Sequence, residues 1–220
     1  MTLPLPLFPL DAILYPGTRS ALHIFEPRYR AMLADILTSD HEFGLLPPGD
    51  DGGAPAPGTI GCVARVEAHQ SLADDRSLIS VVGRTRFVLQ EMVDTETPYL
   101  LGTVAEFDDD PDERDLPPDA EEALRRLGER CRNALAELTD AGTSGPWAAD
   151  GATLTFEVAS VMPWDAAQAR QLLAMRSAAG RADVLLRVLP QLVPELEGRA
   201  AVHSRASTNG KGPHTPDIAS

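Results

Sequence analysis

Several features that function commonly relies on are scarce or missing in this chain. Lysine occurs once, at Lys211, so arginine supplies the rest of the 19 basic side chains. That one lysine sits between two glycines in a polar C-terminal stretch, where a buried general base of lowered pKa cannot be built. Cysteine occurs twice, at Cys62 and Cys131, with no CxxC pair. Two distant thiols exclude a four-thiolate metal site and give no sign of an oxidising compartment; they read as small buried apolar residues. No apolar run approaches the ~18 residues of a membrane span. The apolar N-terminus MTLPLPLFPLDAIL lacks a basic leader, and prolines stand at positions 4, 6, 9 and 16, so a signal peptide is not expected and a cytoplasmic protein is. There is no GxxxxGK[ST] phosphate loop, no HExxH zinc helix and no GxSxG nucleophile elbow. The net charge is −14. A surface this acidic repels phosphate backbones and argues against nucleic acid as the main partner.

The chain has 220 residues, 43% of them apolar, enough for one domain or one domain with a small appendage. LPLPLFPL at 3–10 alternates leucine with proline and reads as an edge strand or an extended lead-in, because proline cannot donate to a ladder. YPGT at 15–18 is a turn. ALHIF at 21–25 is a short strand, with Leu22 and Ile24 on one face and His23 and Phe25 on the other. Pro27 suits the first position of a helix whose apolar stripe is Tyr29, Met32, Leu33, Ile36 and Leu37. HEFGLLP at 41–47 is the next strand and GDDGGAPAPG at 49–58 a loop. In TIGCVARVEA, Ile60, Cys62, Ala64 and Val66 face a core while Arg65 and Glu67 face out. SLISVVGRTRFVLQEMV at 77–93 is one long strand, or two joined at Gly83, which suits a bulge; Thr85, Phe87 and Leu89 face in, and Arg84 and Arg86 face solvent. YLLGTVAEF at 99–107 is the last strand. Several short strands with one early helix point to a small closed or half-closed barrel.

The character changes at residue 106. EFDDDPDERDLPPDAEEA carries ten acidic residues and one arginine in 18 positions and reads as a solvated linker running into a helix start. That helix extends to about residue 139, with Ala120, Ala123, Leu124, Leu127, Cys131, Ala134, Leu135 and Leu138 as its stripe. GTSGPW at 142–147 breaks the chain. ATLTFEVASVM at 152–162 is read as a short helix. Asp165 and Gln168 form a capping box for the next one. Ser177 caps a last helix bearing Val184, Leu185, Val188 and Leu189, which Pro190 should break or kink. From about Gly198 the apolar content is too low to fold, so a disordered tail is expected.

Three stretches together resemble the Lon substrate-binding domain, the N-terminal region of ATP-dependent Lon proteases, over roughly residues 3–197. LPLFPLDAILYPGTRSALHIFEPRYRAML resembles that family's opening segment. IGCVARV and GRTRFVL resemble its barrel strands. MPWDAAQARQLLAMRSAAGRADVLLRVL resembles its closing helices, with Gln171, Leu172, Leu173 and Arg181 at the positions of the family's glutamine-leucine-leucine stretch and later arginine. The resemblance implies an α+β fold, a PUA-like β-barrel with one early helix (1–107) followed by a C-terminal helical bundle (119–197); the acidic linker (108–118) departs from the family's pattern, and it and the tail (198–220) are read from composition. It also implies a non-catalytic module, similar to stand-alone bacterial Lon-domain proteins, that uses no cofactor or metal. Its expected partners are unfolded or partly folded polypeptides or a dedicated protein, for example a protease or chaperone it serves as adaptor. Weak self-association through helices is a further expectation. PUA-like barrels also hold RNA or small ligands, which stands as the alternative. Lon proteolysis uses a serine–lysine dyad, and Lys211 cannot supply its base.

HIFEPRYRAML at 23–33 concentrates charge and aromatics in one place. Glu26 falls where negative charge is favoured at a helix N-terminus, and Arg28 and Arg30 lie off the apolar stripe, free to pair with nearby carboxylates or carbonyls. This fastens the helix to the barrel and can also border a groove. His23, Phe25, Glu26, Arg28, Tyr29 and Arg30 are therefore the candidate partner-binding residues.

Overall fold

Six strands and five helices make up the computed structural model, which describes residues 4–50, 52–139 and 145–209, with side chains through Arg205. In chain order they are β1 Leu5–Pro9, β2 Arg19–Ile24, α1 Pro27–Ile36, β3 Glu42–Leu46, β4 Ile60–Ser71, β5 Ser77–Val93 and β6 Leu100–Glu106, followed by α2 Pro118–Thr139, α3 Gly151–Ser160, α4 Ala166–Ala174 and α5 Ala178–Asn209. The sheet order is β2-β5-β4-β3-β1-β6, and β6 pairs again with β5. Only β1 and β3 run parallel. The 17-residue β5 makes this possible: Ser77–Val82 pairs with β2, and Phe87–Val93 pairs with β6. In the circuit β5-β4-β3-β1-β6 each strand pairs with two others of the circuit, β5 pairs with β2 as well, and β2 has that one neighbour.

β1 is not an edge strand, contrary to the sequence expectation. Its neighbours are staggered, with β6 beside Leu5–Leu7 and β3 beside Leu7–Pro9. Leu7 alone is flanked on both sides, and it is not a proline, so the missing N–H groups of Pro6 and Pro9 leave the pairing intact. At Gly83 the expected irregularity is present: Cys62 pairs with Arg86 but Ala64 with Gly83, so β5 gains a residue over β4. An added Cβ at Gly83 would lie 2.1 Å from the Tyr15 carbonyl oxygen, which explains why no side chain is tolerated there. The extra residue also breaks the alternation, leaving Thr85 exposed rather than inward.

Three apolar clusters fill the interior. Leu7, Leu46, Phe87 and Leu89 form a small one among the strands. Phe8, Ile24, Tyr29, Met32, Ile36 and Phe43 lead a second, which seats α1 on the sheet. The stripe Tyr29, Met32, Leu33 and Ile36 is buried as its spacing requires. The third belongs to the helices, with Leu124, Cys131, Leu154, Phe156, Leu185, Leu189 and Val193 fully or nearly fully buried. Tyr15, from the turn before β2, joins this helical cluster: its ring stacks on Phe156 at 5.6 Å and its hydroxyl donates to the Ala169 carbonyl at 3.0 Å.

The helical ends follow local chemistry. Asp165 and Gln168 close the expected capping box, with N–H···O distances of 2.8 and 3.2 Å. Ser177 Oγ accepts from the Gly180 N–H at 2.9 Å. Of the two outcomes expected at Pro190, a break is not seen: α5 runs through Pro190 and Pro194. One expectation is overturned, because the helix carries on through Gly198 to Asn209, where a disordered tail is expected. A mid-helix proline costs about 3 kcal/mol. Leu189, Val193, Leu196 and Ala200 are each at most 4% exposed, and burying a leucine or valine side chain contributes about 1.5–3 kcal/mol. Glu197 adds a two-pronged ion pair to Arg130 of α2 at 2.7 and 2.8 Å. Residues 210–220, with Lys211 and His214, lie outside the described residues, as do 142–144 of the expected break.

Candidate functional site

The opening cluster separates into two roles. β2 alternates as read: Leu22 and Ile24 point into the core, while His23 and Phe25 face solvent with their rings 5.5 Å apart. Tyr29 goes the other way. It is 5% exposed and packs on Phe8 at 4.1 Å, so its ring is core, with Arg28 lying over it at 4.5 Å. Glu26 occupies the N-cap of α1, but its side chain caps no helix N–H; it accepts from Arg28 Nε at 3.0 Å. Arg30 donates to Asp75 at 2.7 Å, tying α1 to the turn between β4 and β5.

That turn brings in two residues the sequence reading passed over. Leu78 of β5 stands in register with His23 of β2 and Gln70 of β4, on the outward side of the strands. Leu72 follows β4 directly. Phe25, Leu72 and Leu78 are 57, 37 and 41% exposed, and they are three of the four large exposed hydrophobic side chains among the described residues. The available signal was Leu78's register opposite to Ile79, visible only once the strand's inward face is known.

Ion pairs lie beside this apolar face: Arg28 pairs with Glu26, Arg30 with Asp75 and Arg76 with Asp74. At the other end of β2, Arg19 grips Glu67 at 2.8 and 3.1 Å. On a chain of net charge −14, the three carboxylates beside the face each have an arginine. An apolar centre within a polar, charge-balanced rim is the usual layout of a protein-binding surface.

A second polar constellation lies inside the molecule. Asp109, from the segment expected to be a solvated linker, is 5% exposed and sits between Arg86 and Arg181, which are 4 and 0% exposed. Its carboxylate accepts from Arg86 at 2.5 Å and from both terminal nitrogens of Arg181 at 2.7 Å. Arg86 also donates to the carbonyls of Leu173 and Met175 at 2.7 and 2.6 Å, and Arg181 Nε donates to Thr155 Oγ1 at 2.8 Å. Arg181 lies 3.9 Å over the Phe156 ring. Burial pushes the Asp109 carboxyl up, but the hydrogen bonds and charge of Arg181, joined by Arg86, outweigh it and hold the group below its ordinary value. Arg86, expected to face solvent, instead faces the helices that cover that side of β5. With every oxygen and guanidinium engaged, this constellation is a fastener between strands and helices and has no open position for a ligand.

Between the segment 11–20 and the helices runs a groove of about 980 Å³ that includes both tryptophans, Trp147 and Trp164, in its lining. Arg132 lies 4.1 Å over the Trp147 ring. Thr18, Arg19 and Ser20 form part of the wall, so the groove opens onto the start of β2. Among the described residues no three His, Cys, Asp or Glu side chains gather as a metal site, and no helix is long and apolar enough to cross a membrane. Both cysteines are fully buried, which pushes the Cys62 thiol up to about 12 and Cys131 up to about 11.

Residues 4–191 match the ATP-dependent protease La (LON) substrate-binding domain. Among solved structures, a Lon N-terminal domain protein from Xanthomonas campestris aligns with a TM-score of 0.64 and 25% identity, over 84% of this chain and 98% of its own. The N-terminal domain of a Mycobacterium avium complex Lon protease aligns with a TM-score of 0.60 over 86% of this chain and 98% of its own. At 17% identity, that second likeness concerns the fold.

Proposed function

Because this chain belongs to the ATP-dependent protease La (LON) substrate-binding domain family, we propose that it binds unfolded or partly folded polypeptides at the face formed by His23, Phe25, Leu72 and Leu78. Glu26, Arg28 and Arg30 serve this face as its charged rim, and Tyr29 supports it from below. In this reading the strand circuit is a PUA-like barrel, and the helices after the acidic segment form a separate bundle. The module does no chemistry of its own and presents bound chains to another machine. One observation carries the proposal: three of the four large exposed apolar side chains among the described residues lie at this end of β2 and at the start of β5, beside the ion pairs of Arg28, Arg30 and Arg76.

The size of the face sets the strength of binding. Fully burying a leucine or phenylalanine contributes about 1.5–3 kcal/mol, so covering these partly exposed side chains contributes about 3 kcal/mol in all. That is roughly a hundredfold in affinity before the costs of ordering the ligand. Calorimetry of the purified chain with a permanently unfolded test protein and with its folded form, at low and high salt, tests the proposal. Selective binding to the unfolded form that survives high salt is expected. Phe25→Asp combined with Leu78→Asp should weaken it at least tenfold. Binding that collapses with salt, or that ignores these substitutions, would remove the proposal.

A further inference from the structure

Among the described residues β2 is the one strand of the sheet with a single neighbour. Its six residues pair with β5 along their whole length, from Arg19 opposite Val82 to Ile24 opposite Ser77. On the other side no described residue donates to or accepts from the backbone of residues 19–24. Every second residue of this strand therefore turns a peptide N–H and a C=O outward, and no group among the described residues meets them. At about 3.3 Å per residue, the open edge is about 20 Å long.

Exposed edges are normally protected by proline, by a bulge, by charged side chains or by a covering helix or loop. The stretch RSALHI contains no proline, and its register with β5 is unbroken. Its one charge, Arg19, is already held by Glu67. The edge also connects the two features that border it. Phe25 stands immediately past its end, and the groove that includes Trp147 and Trp164 in its lining opens at its start.

We propose that an extended segment of a client polypeptide binds by adding a strand to the open edge of β2, between Phe25 and the Thr18–Ser20 end of the groove. The inference rests on the polypeptide-binding reading above and specifies how the chain is held. The unmet groups on β2 are an alternating row of amide donors and carbonyl acceptors, and the ligand that matches such a row is another extended main chain. Main-chain pairing takes any sequence without an interrupting proline, which suits a module whose clients share exposed backbone rather than a motif. Phe25, at the end of the row, then covers apolar side chains on the outward face of the added strand.

The test uses the full chain and a blocked peptide in which leucine and valine alternate with serine and asparagine. A series of peptides, each N-methylated at one position, is titrated by calorimetry, and amide exchange of the labelled protein is followed by NMR. Strand addition predicts a period of two: methylation at every second peptide position weakens binding about tenfold, and the positions between tolerate it. It also predicts that alternate amides within residues 19–24 exchange fast in the free protein and at least tenfold more slowly in the complex. If the unmodified peptide binds and Phe25→Ser weakens it, but methylation has no alternating effect and the β2 amides gain no protection, the strand-addition proposal is overturned and side-chain docking stands. If neither the peptide nor an unfolded protein binds at all, both readings fall together.

Discussion

Asp109→Asn puts the joint between strands and helices under direct test. The carboxylate is 5% exposed and answers two guanidiniums at 2.5–2.7 Å, so the substitution leaves two buried cations without their counter-charge. Removing one partner of a buried ion pair costs about 3–5 kcal/mol, and sharing by two arginines places this site at the upper end, about 5 kcal/mol. That is a large part of the roughly 5–15 kcal/mol that keeps a protein folded. For a chain of this size it corresponds to a fall in Tm of about 10–20 °C. Asp108→Asn is the natural control, because the adjacent carboxylate is 63% exposed and pairs with Arg114 at the surface. Such pairs contribute about 0–1 kcal/mol. Urea unfolding followed by circular dichroism measures both variants. The acid limb gives a second reading. The Asp109 pKa is lowered in the folded state, so its contribution is fully present above the ordinary carboxylate value of about 3.9 and is lost as pH falls through the folded value. The native protein should lose stability below about pH 4 more steeply than Asp109→Asn does. If Asp109→Asn costs no more than Asp108→Asn, the buried fastener is not what joins the two halves.

Three further outcomes follow from the same geometry. Ala200→Asp places a charge where the native residue is 1% exposed, and should destabilise by about 2–4 kcal/mol in thermal melts; no change would mean that α5 does not pack beyond Leu196. Tyr15→Phe removes only the hydrogen bond to the Ala169 carbonyl and should cost about 1 kcal/mol, whereas Tyr15→Ala also empties the contact with Phe156 and should cost about 3–5 kcal/mol in the same denaturation assay. Cys62 and Cys131 are buried with raised thiol pKa values, so both should resist alkylation at neutral pH until the chain unfolds, then react together when followed by mass spectrometry.

Much of the fold was legible because its signals are local. The Tyr29–Ile36 stripe, the Asp165–Gln168 capping box and the alternation around Leu22 and Ile24 each depend on a few neighbouring residues. What the sequence hid depends on partners far along the chain. Arg86 does alternate away from Phe87 and Leu89, but the helices cover that face, so outward did not mean exposed. Asp109 looks like any other residue of an acidic run until two arginines, 23 and 72 residues away, close on it. Residues 198–209 are too poor in apolar side chains to read as folded, yet Ala200 is buried in the helical cluster, a place that composition cannot foretell. Of the candidate site, His23, Phe25 and the paired Glu26, Arg28 and Arg30 do lie at one surface. Leu72 and Leu78 complete the apolar face only through the register of β5 with β2 and β4.

The most direct test of the proposed polypeptide-binding face is to titrate a permanently unfolded polypeptide into the isotope-labelled chain and map the amide shifts by NMR. Binding at the proposed face predicts perturbations concentrated on residues 19–30 and on the β4–β5 tip from Gln70 to Leu78. Shifts confined to the exposed faces of α2 and α5, with β2 and Phe25 unmoved, would contradict it.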